Sequence, residues 1–287
     1  MTSVYYIAVW PIVQLLHKIR FVKENTYKDM RKKYYCSKMT LFAAVHNFLA
    51  RGKVKRYFNL HTKNSKMVIY TCLTGGYDAL LIPDFINSEC DYICFTDDKE
   101  LIAKGYFGPW KIEPLHFSEL NNSKNNRWHK MHPHLLFPDY QNSLYIDSNV
   151  NFRTGKVFEY IRSVPKKCFI AVPRHACRDC IYEEADFVVS HNIDTAENVN
   201  PLIEKYHNEN FPEHFGMGEN NVIFRRHHNS RCVQLMEEWW DIFNRYSKRD
   251  QLTLFYLFWK EKINFVFFGP YSFKKDHKNF RIYKHKG

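Results

Sequence analysis

The sequence predicts an α/β chain: a mostly parallel β-sheet flanked by helices, with a basic helical extension in front. Three observations carry this. Short apolar runs rich in Val, Ile, Tyr and Phe end in polar or Gly-rich residues, as buried strands do. Segments with helical spacing alternate with them, which is the pattern of parallel strands joined by crossover helices. Charge is segregated: residues 17–66 hold 14 Lys/Arg and 2 Asp/Glu, the whole of the net +12, while 67–287 balance to zero. The chain therefore divides near residues 63–66, into an arm (1–66) and a body (67–287).

In order along the body, KMVIYTCL reads as the first strand, running into Gly75-Gly76. CDYICFT (90–96) and WKIEPLHF (110–117) are the next strands. Residues 118–136 have helical spacing, and Pro133 should end or kink that helix because it lacks an N–H and clashes with the preceding turn. NSLYIDSN (142–149) is a short strand ending in polar residues. Residues 155–162 form a helix and CFIAVPRH (168–175) a strand. CIYEEADFVVS and 196–209 are helical, NNVIFRR (220–226) is a strand and 229–246 a helix. RDQLTLFYLFWKE is a further helix, and INFVFFG a late strand.

Composition excludes several classes. A chain that is 45% hydrophobic and 25% charged folds into a globular core. No apolar run approaches the roughly 18 residues of a membrane span. The apolar residues 1–16 lack a charged leader and a cleavage site, so no secretory signal is expected, and the eight cysteines are expected as reduced thiols. Cys177-x-x-Cys180 has no second pair, which disfavours structural zinc. The basic residues sit in the arm rather than along a body groove, which weakens a nucleic-acid reading. An aromatic stretch beside Lys/Arg suits an anionic membrane surface. The other reading of the arm is a helical hairpin with a solvated basic face.

Ligands of open α/β sheets bind beyond the carboxyl ends of the strands. Those ends carry Thr74-Gly75-Gly76-Tyr77-Asp78, Thr96-Asp97-Asp98, Asp147-Ser148-Asn149 and Arg174-His175. Gly75-Gly76 has neither the phosphate-loop nor the dinucleotide spacing, which disfavours both of those nucleotide folds. Arg127 and Lys130, three apart on a helix, share a face that could grip a diphosphate or simply face water. Asp147 and Asn149 place two oxygen ligands at a strand end, where they could hold a divalent cation or close an Asx turn. Trp239, Trp240 and the aromatic residues of 255–259 are either sugar-stacking faces or helix core, and periodicity favours core.

The order of these blocks resembles one family. An Ile-Tyr-Thr strand with Gly-Gly-Tyr-Asp, then CDYICFTDD, RWHKMHPHLLFPDY and SLYIDSN, is similar to the domain-of-unknown-function 616 family, glycosyltransferase-like and related to glycosyltransferase family 8. RHACRDCIYEEA, residues 216–226 and Ser-Lys-Arg-Asp-Gln-Leu resemble its later blocks. The resemblance spans roughly 67–262. It implies a GT-A-like fold, a nucleotide-sugar donor, with UDP the leading nucleotide, and transfer of a hexose-type sugar to a glycan or glycolipid. By position, Thr74, Gly76, Tyr77 and Asp97 would border the nucleotide, and Arg127 and Lys130 the diphosphate. Arg174 and His175 would complete the nucleotide-sugar site. Asp147 and Asn149 would stand where many such enzymes carry an Asp-x-Asp motif for Mn or Mg, with His285 or His277 as a third ligand. Arg249, Asp250 and Gln251 would lie at the reaction centre. The implied setting is cytoplasmic, peripheral on the inner membrane face, in surface polysaccharide synthesis. The neutral Asn149 keeps a non-catalytic nucleotide- or sugar-binding module open as an alternative, and a nucleic-acid-binding arm as a further one.

Overall fold

The computed structural model describes residues 2–18, 24–54 and 66–285. The arm forms α1 (Thr2–Lys18) and α2 (Glu24–Val54), two helices packed on each other. The body begins with β1 (Met67–Leu73) and β2 (Asp91–Thr96), followed by α3 (Lys99–Lys104), β3 (Tyr106–Phe107) and β4 (Trp110–Pro114). Next come α4 (Asn122–Met131), α5 (Pro133–Leu136), β5 (Asn142–Ile146), β6 (Val150–Phe152), α6 (Lys156–Ser163) and β7 (Ile170–Pro173). The chain continues with α7 (Ile181–Ser190), α8 (Ala196–Asn208), β8 (Val222–Arg225) and α9 (Ser230–Arg245). It closes with a 3-10 turn (Asp250–Leu252), α10 (Leu254–Lys260), β9 (Val266–Phe268) and β10 (Phe280–Ile282).

An 8-stranded sheet runs in the order β3-β4-β2-β1-β5-β8-β7-β9, and β10 pairs with β6 in a separate ribbon. The pairs β1–β2, β2–β4, β1–β5 and β7–β9 are parallel. β8 runs antiparallel to both β5 and β7. This is the expected mostly parallel α/β layout, with β3 reversed at one edge and β8 reversed within the sheet; the second reversal matters below. Strand alternation splits the core into two layers. Val68, Tyr70 and Cys72 of β1 pack with α4, α9 and α10 on one face. Ile69 and Leu73 pack with Trp110, Leu144 and the residues of α6 on the other.

The helix expected over 118–136 breaks at His132, where Pro133 opens α5. The helix expected over RDQLTLFYLFWKE opens as the 3-10 turn before α10 begins. Trp239 and residues 255–258 are fully buried, so they are core and not stacking faces. Phe117 and His132 pack against Trp240.

The boundary expected at 63–66 lies, Lys66 apart, outside the described residues. The arm is not detached from the body. Asn47 on α2 donates to the Leu80 carbonyl at 3.0 Å and accepts from the Ile82 N–H at 2.9 Å, a buried reciprocal pair. His46 Nε2 lies 2.8 Å from the Ile82 carbonyl. Phe42 packs on Tyr283, with ring centroids 4.7 Å apart. Of the two readings of the arm, the packed hairpin describes its inner side; Trp10, stacked on Tyr27 and Tyr34, holds its two helices together.

Candidate active site

A cavity of about 640 Å³ opens at the sheet edge where β1 and β5 end and β8 begins. Each wall follows from local chemistry. Gly75 has φ +63°, and a Cβ there would come 2.1 Å from Asn122 Nδ2. Only glycine lets this turn lie against the start of α4. The turn is fastened by Asp97, which accepts from the Gly75 N–H at 2.8 Å, and by the Thr74 hydroxyl, which donates to the Asn122 carbonyl at 2.8 Å.

α4 supplies the cations. Its Asn121 cap accepts from the Lys124 N–H, and Asn126 donates to the Cys72 carbonyl of β1 at 2.6 Å. At its other end, fully buried Arg225 of β8 donates to the Lys130 carbonyl at 2.6 Å and to the Tyr70 hydroxyl at 2.6 Å. Both ends being tied to the sheet, Arg127 and Lys130 are held over the cavity. They are not free. Lys130 Nζ lies 2.5 Å from Asp250 Oδ2, and Arg127 Nε lies 3.1 Å from the same oxygen. Asp147 Oδ1 is 3.9 Å from Lys130 Nζ. Burial by itself would raise the Asp250 carboxyl, but Lys130 and Arg127 outweigh it and hold it down to about 2. Burial pulls the Lys130 ammonium below the usual lysine range, against the pull of Asp250 and Asp147. Asp250 is therefore a carboxylate whose partners are the two cations.

Asp147 accepts from the Tyr145 hydroxyl at 2.9 Å, and its N–H donates to the Asn221 carbonyl. The Asn149 amide nitrogen donates to the Tyr283 carbonyl at 2.7 Å, which leaves its oxygen for a ligand. His285 Nδ1 is 2.9 Å from Asp78 Oδ2, which leaves Nε2; the hydrogen bond to Asp78 raises its pKa against burial. Asp78 also accepts from Ser148 Oγ at 2.9 Å. Among the described residues, no group of three His, Cys, Asp or Glu converges as a preformed metal cage. Carboxylate, amide oxygen and imidazole nitrogen are nonetheless a donor set that suits a divalent cation completed by substrate oxygens and water.

The cavity thus brings together Thr74, Tyr77, Arg127 and Lys130, the predicted metal residues Asp147, Asn149 and His285, and Arg249, Asp250 and Gln251. Four predicted site residues do not line it. Gly76 has φ +64° and sits in the turn behind the lining residues. Asp97 is spent on Gly75. Arg174 lies over the Phe267 ring at 4.1 Å. His175 Nδ1 accepts from the Arg178 N–H at 2.9 Å, and burial lowers its pKa to about 4, so it is a neutral turn acceptor. His277 is also not among the lining residues; its carbonyl holds Arg153. Arg249 lines the cavity but pairs at 3.1 Å with fully buried Glu184, which also holds Arg178.

The sequence places Asp78 at a strand end but gives it no role, and gives none to Lys274 or the run Glu219-Asn220-Asn221; all are lining residues. The run lies at a strand's amino end, outside the rule that places ligands beyond carboxyl ends. β8 is antiparallel, so its amino end lies at the same edge as the carboxyl ends of β1 and β5.

Residues 50–281 match the family model described as a TOD1/MUCI70, glycosyltransferase-like domain. No curated protein matches the chain. Three solved structures bear a distant likeness. Mouse xyloside xylosyltransferase 1 in its apo form is 11% identical, over 70% of this chain and 83% of that one, with a TM-score of 0.39. The apo bifunctional glycosyltransferase WbbM is 12% identical, over 73% and 39%, with a TM-score of 0.44. The glycosyltransferase GlyE of Streptococcus pneumoniae TIGR4 is 11% identical, over 71% and 45%, with a TM-score of 0.40.

Proposed function

Since the chain belongs to the TOD1/MUCI70 glycosyltransferase-like family, we propose that its cavity binds a nucleotide-sugar and transfers a hexose-type sugar to a hydroxyl of a glycan or glycolipid. The observation that carries this reading is the cluster of Arg127, Lys130, Asp147 and Asp250 in one cavity. Two cations balanced by two carboxylates form a neutral, preorganised set, and an arriving diphosphate shifts the balance towards itself. The convergence of Asp147-Ser148-Asn149 with Arg249-Asp250-Gln251 is also what kinship to glycosyltransferase family 8 would require.

In this reading the exposed ring of Tyr77 offers the nucleobase a stacking face at the mouth. Arg127 takes phosphate oxygens by its planar fork, and Lys130 adds a point charge as the sugar–phosphate bond breaks. Asp147, Asn149 and His285 would hold a manganese or magnesium ion, whose chemistry is to neutralise the departing diphosphate. Asp250 is too acidic to store the proton released by the acceptor. Its part is to keep Arg127 and Lys130 charged and aimed. Transfer consumes the donor and an acceptor hydroxyl and yields the glycoside, the nucleoside diphosphate and a proton.

Asp147→Ala is expected to abolish transfer while the melting temperature stays close to wild type. The assay is release of nucleoside diphosphate from nucleotide-sugar in the presence of manganese. Normal turnover in Asp147→Ala overturns the reading. Binding of donor without any turnover, by the wild type with a range of acceptors, favours the non-catalytic module instead.

The outer side of α2 supports contact with a membrane surface, which we propose to be the inner, cytoplasmic one. Leu41, Val45, Phe48 and Leu49 recur at helical spacing and are exposed, Phe48 and Leu49 at 70% each. Basic residues flank the stripe in 28–38 and 51–56. Apolar stripe and basic flanks together match an anionic bilayer surface better than a nucleic acid, which would leave the stripe in water. No helix among the described residues is long and apolar enough to cross a membrane. The full chain is expected to float with vesicles rich in anionic lipid, less so as salt rises. Replacing Leu41, Val45, Phe48 and Leu49 by Ser should abolish flotation with little change in melting. Equal flotation of that variant removes the membrane assignment.

A further inference from the structure

The first residues of β8's approach are polar and buried. Glu219 is 1% exposed and Asn220 3% exposed. Neither oxygen of Glu219 and neither side-chain atom of Asn220 has a hydrogen-bond partner among the described residues. Lys274 Nζ lies 3.1 Å from Glu219 Oε1, close enough to balance its charge but outside hydrogen-bonding angles. Buried polar atoms in folded proteins are nearly always paired, with protein, water or ligand. Both residues are among those lining the cavity that contains Arg127 and Asp147. The missing partner is therefore sought in what the cavity binds.

We propose that Glu219 and Asn220 form a hydroxyl-binding subsite that takes the sugar of the donor and selects a hexose with two free neighbouring hydroxyls. This rests on the nucleotide-sugar reading above and specifies its substrate. A carboxylate only accepts hydrogen bonds, so its two oxygens call for two donors side by side. Adjacent O–H groups of a hexose supply them. A uracil edge carries a single N–H and a diphosphate no donor; the ribose carries the other adjacent pair, its 2′- and 3′-hydroxyls, and UDP alone presents that pair without the hexose. Asn220 adds one acceptor and one donor group for the same ring. An acetamido group in place of a hydroxyl keeps one donor, its N–H, but adds bulk. The subsite is rigid: a Cβ on Gly218 would come 2.7 Å from Val172 Cγ2 and 2.8 Å from Phe255 Cε2, and the Glu219 N–H donates to the Pro173 carbonyl at 2.8 Å. Gln251 Nε2 donates to the Gly218 carbonyl at 3.3 Å, which ties the subsite to the Asp250 turn.

The test is calorimetric titration of the full-length wild type, Glu219→Gln and Asn220→Ala with UDP, UDP-glucose and UDP-N-acetylglucosamine, each with manganese, beside a melting curve for each variant. Wild type is expected to bind UDP-glucose about tenfold tighter than UDP, and UDP-N-acetylglucosamine no tighter than UDP, since the added acetamido bulk meets a closely packed wall. Both variants should bind UDP as wild type does and lose the UDP-glucose advantage. An advantage retained in Glu219→Gln, a preference for UDP-N-acetylglucosamine, or an equal loss of UDP and UDP-glucose overturns the subsite while leaving the diphosphate grip standing. Wild type that binds neither UDP nor UDP-glucose overturns the donor-site reading, and the subsite falls with it.

Discussion

Asp250→Ala should cost about 3–5 kcal/mol of folding stability, because removing one partner strands a buried charge. Lys130 is 1% exposed and would keep only Asp147, 3.9 Å away, as a counter-charge. Burial already pulls its ammonium down, and without Asp250 it would fall further. Urea unfolding reads the loss. The double variant Asp250→Leu/Lys130→Met should recover part of it, since the apolar pair removes the buried ammonium while Arg127 still lacks its carboxylate, yet should not bind a nucleoside diphosphate. Recovery of both stability and binding would remove Lys130 from the diphosphate grip. The same pair sets a pH window. The folded Asp250 carboxyl is held at about 2, below the unfolded value of about 3.9, so its contribution is complete above pH 4 and is lost as pH falls towards 2. The decline amounts to about 2–3 kcal/mol for an isolated group. Asp250→Asn should flatten that part of the stability–pH curve, and an unchanged acid limb would mean that other carboxylates set it.

Removal of residues 1–66 should destabilise the body rather than release it intact. Asn47 satisfies the Leu80 carbonyl and the Ile82 N–H, and Leu80 and Ile82 are 4% and 2% exposed in the full chain. The point variant Asn47→Ala isolates the effect: it leaves two backbone groups unpaired, a loss of about 2–4 kcal/mol. At this chain size that corresponds to a melting temperature lower by roughly 5–15 °C. The truncated chain also loses Phe42 from the face of Tyr283. Tyr283 accepts the Asn149 amide and stands two residues before His285, so nucleotide-sugar binding should weaken as well. Differential scanning calorimetry of the truncated chain and of Asn47→Ala decides. A truncated chain that melts like the full one would make the arm a pure address, with no part in holding the site.

The fold was largely legible because the strands announce themselves. β1, β2, β5 and β7 are buried on both faces and each carries a short apolar stretch, Val-Ile-Tyr, Tyr-Ile-Cys-Phe, Leu-Tyr-Ile and Ile-Ala-Val, a signal that local sequence carries without knowledge of partners. Short pieces were not legible. β3, β6 and β10 have two or three residues each and exist only where a neighbouring strand lies alongside. The 3-10 turn at Asp250 was hidden in an apolar helical run, because its cause is Asp250 turning inward to two cations 120 residues or more away in sequence.

At the site, sequence alone determined which residue types stand at the strand ends, the shared face of Arg127 and Lys130, and the placement of all net charge in 17–66. Those are local properties: spacing along a helix, alternation along a strand and composition of a segment. Tertiary structure decided which of them meet. It joined Asp250 to Lys130 and Arg127, laid Arg174 over the Phe267 ring, turned His175 onto the Arg178 N–H, and turned one side of α2 onto the body. By reversing β8 it also delivered Glu219 and Asn220 to the cavity from a strand's amino end. Ion pairing and burial depend on distances through space between residues far apart in the chain, and strand direction depends on how the sheet is wound; neither has a periodicity that a local pattern can reveal.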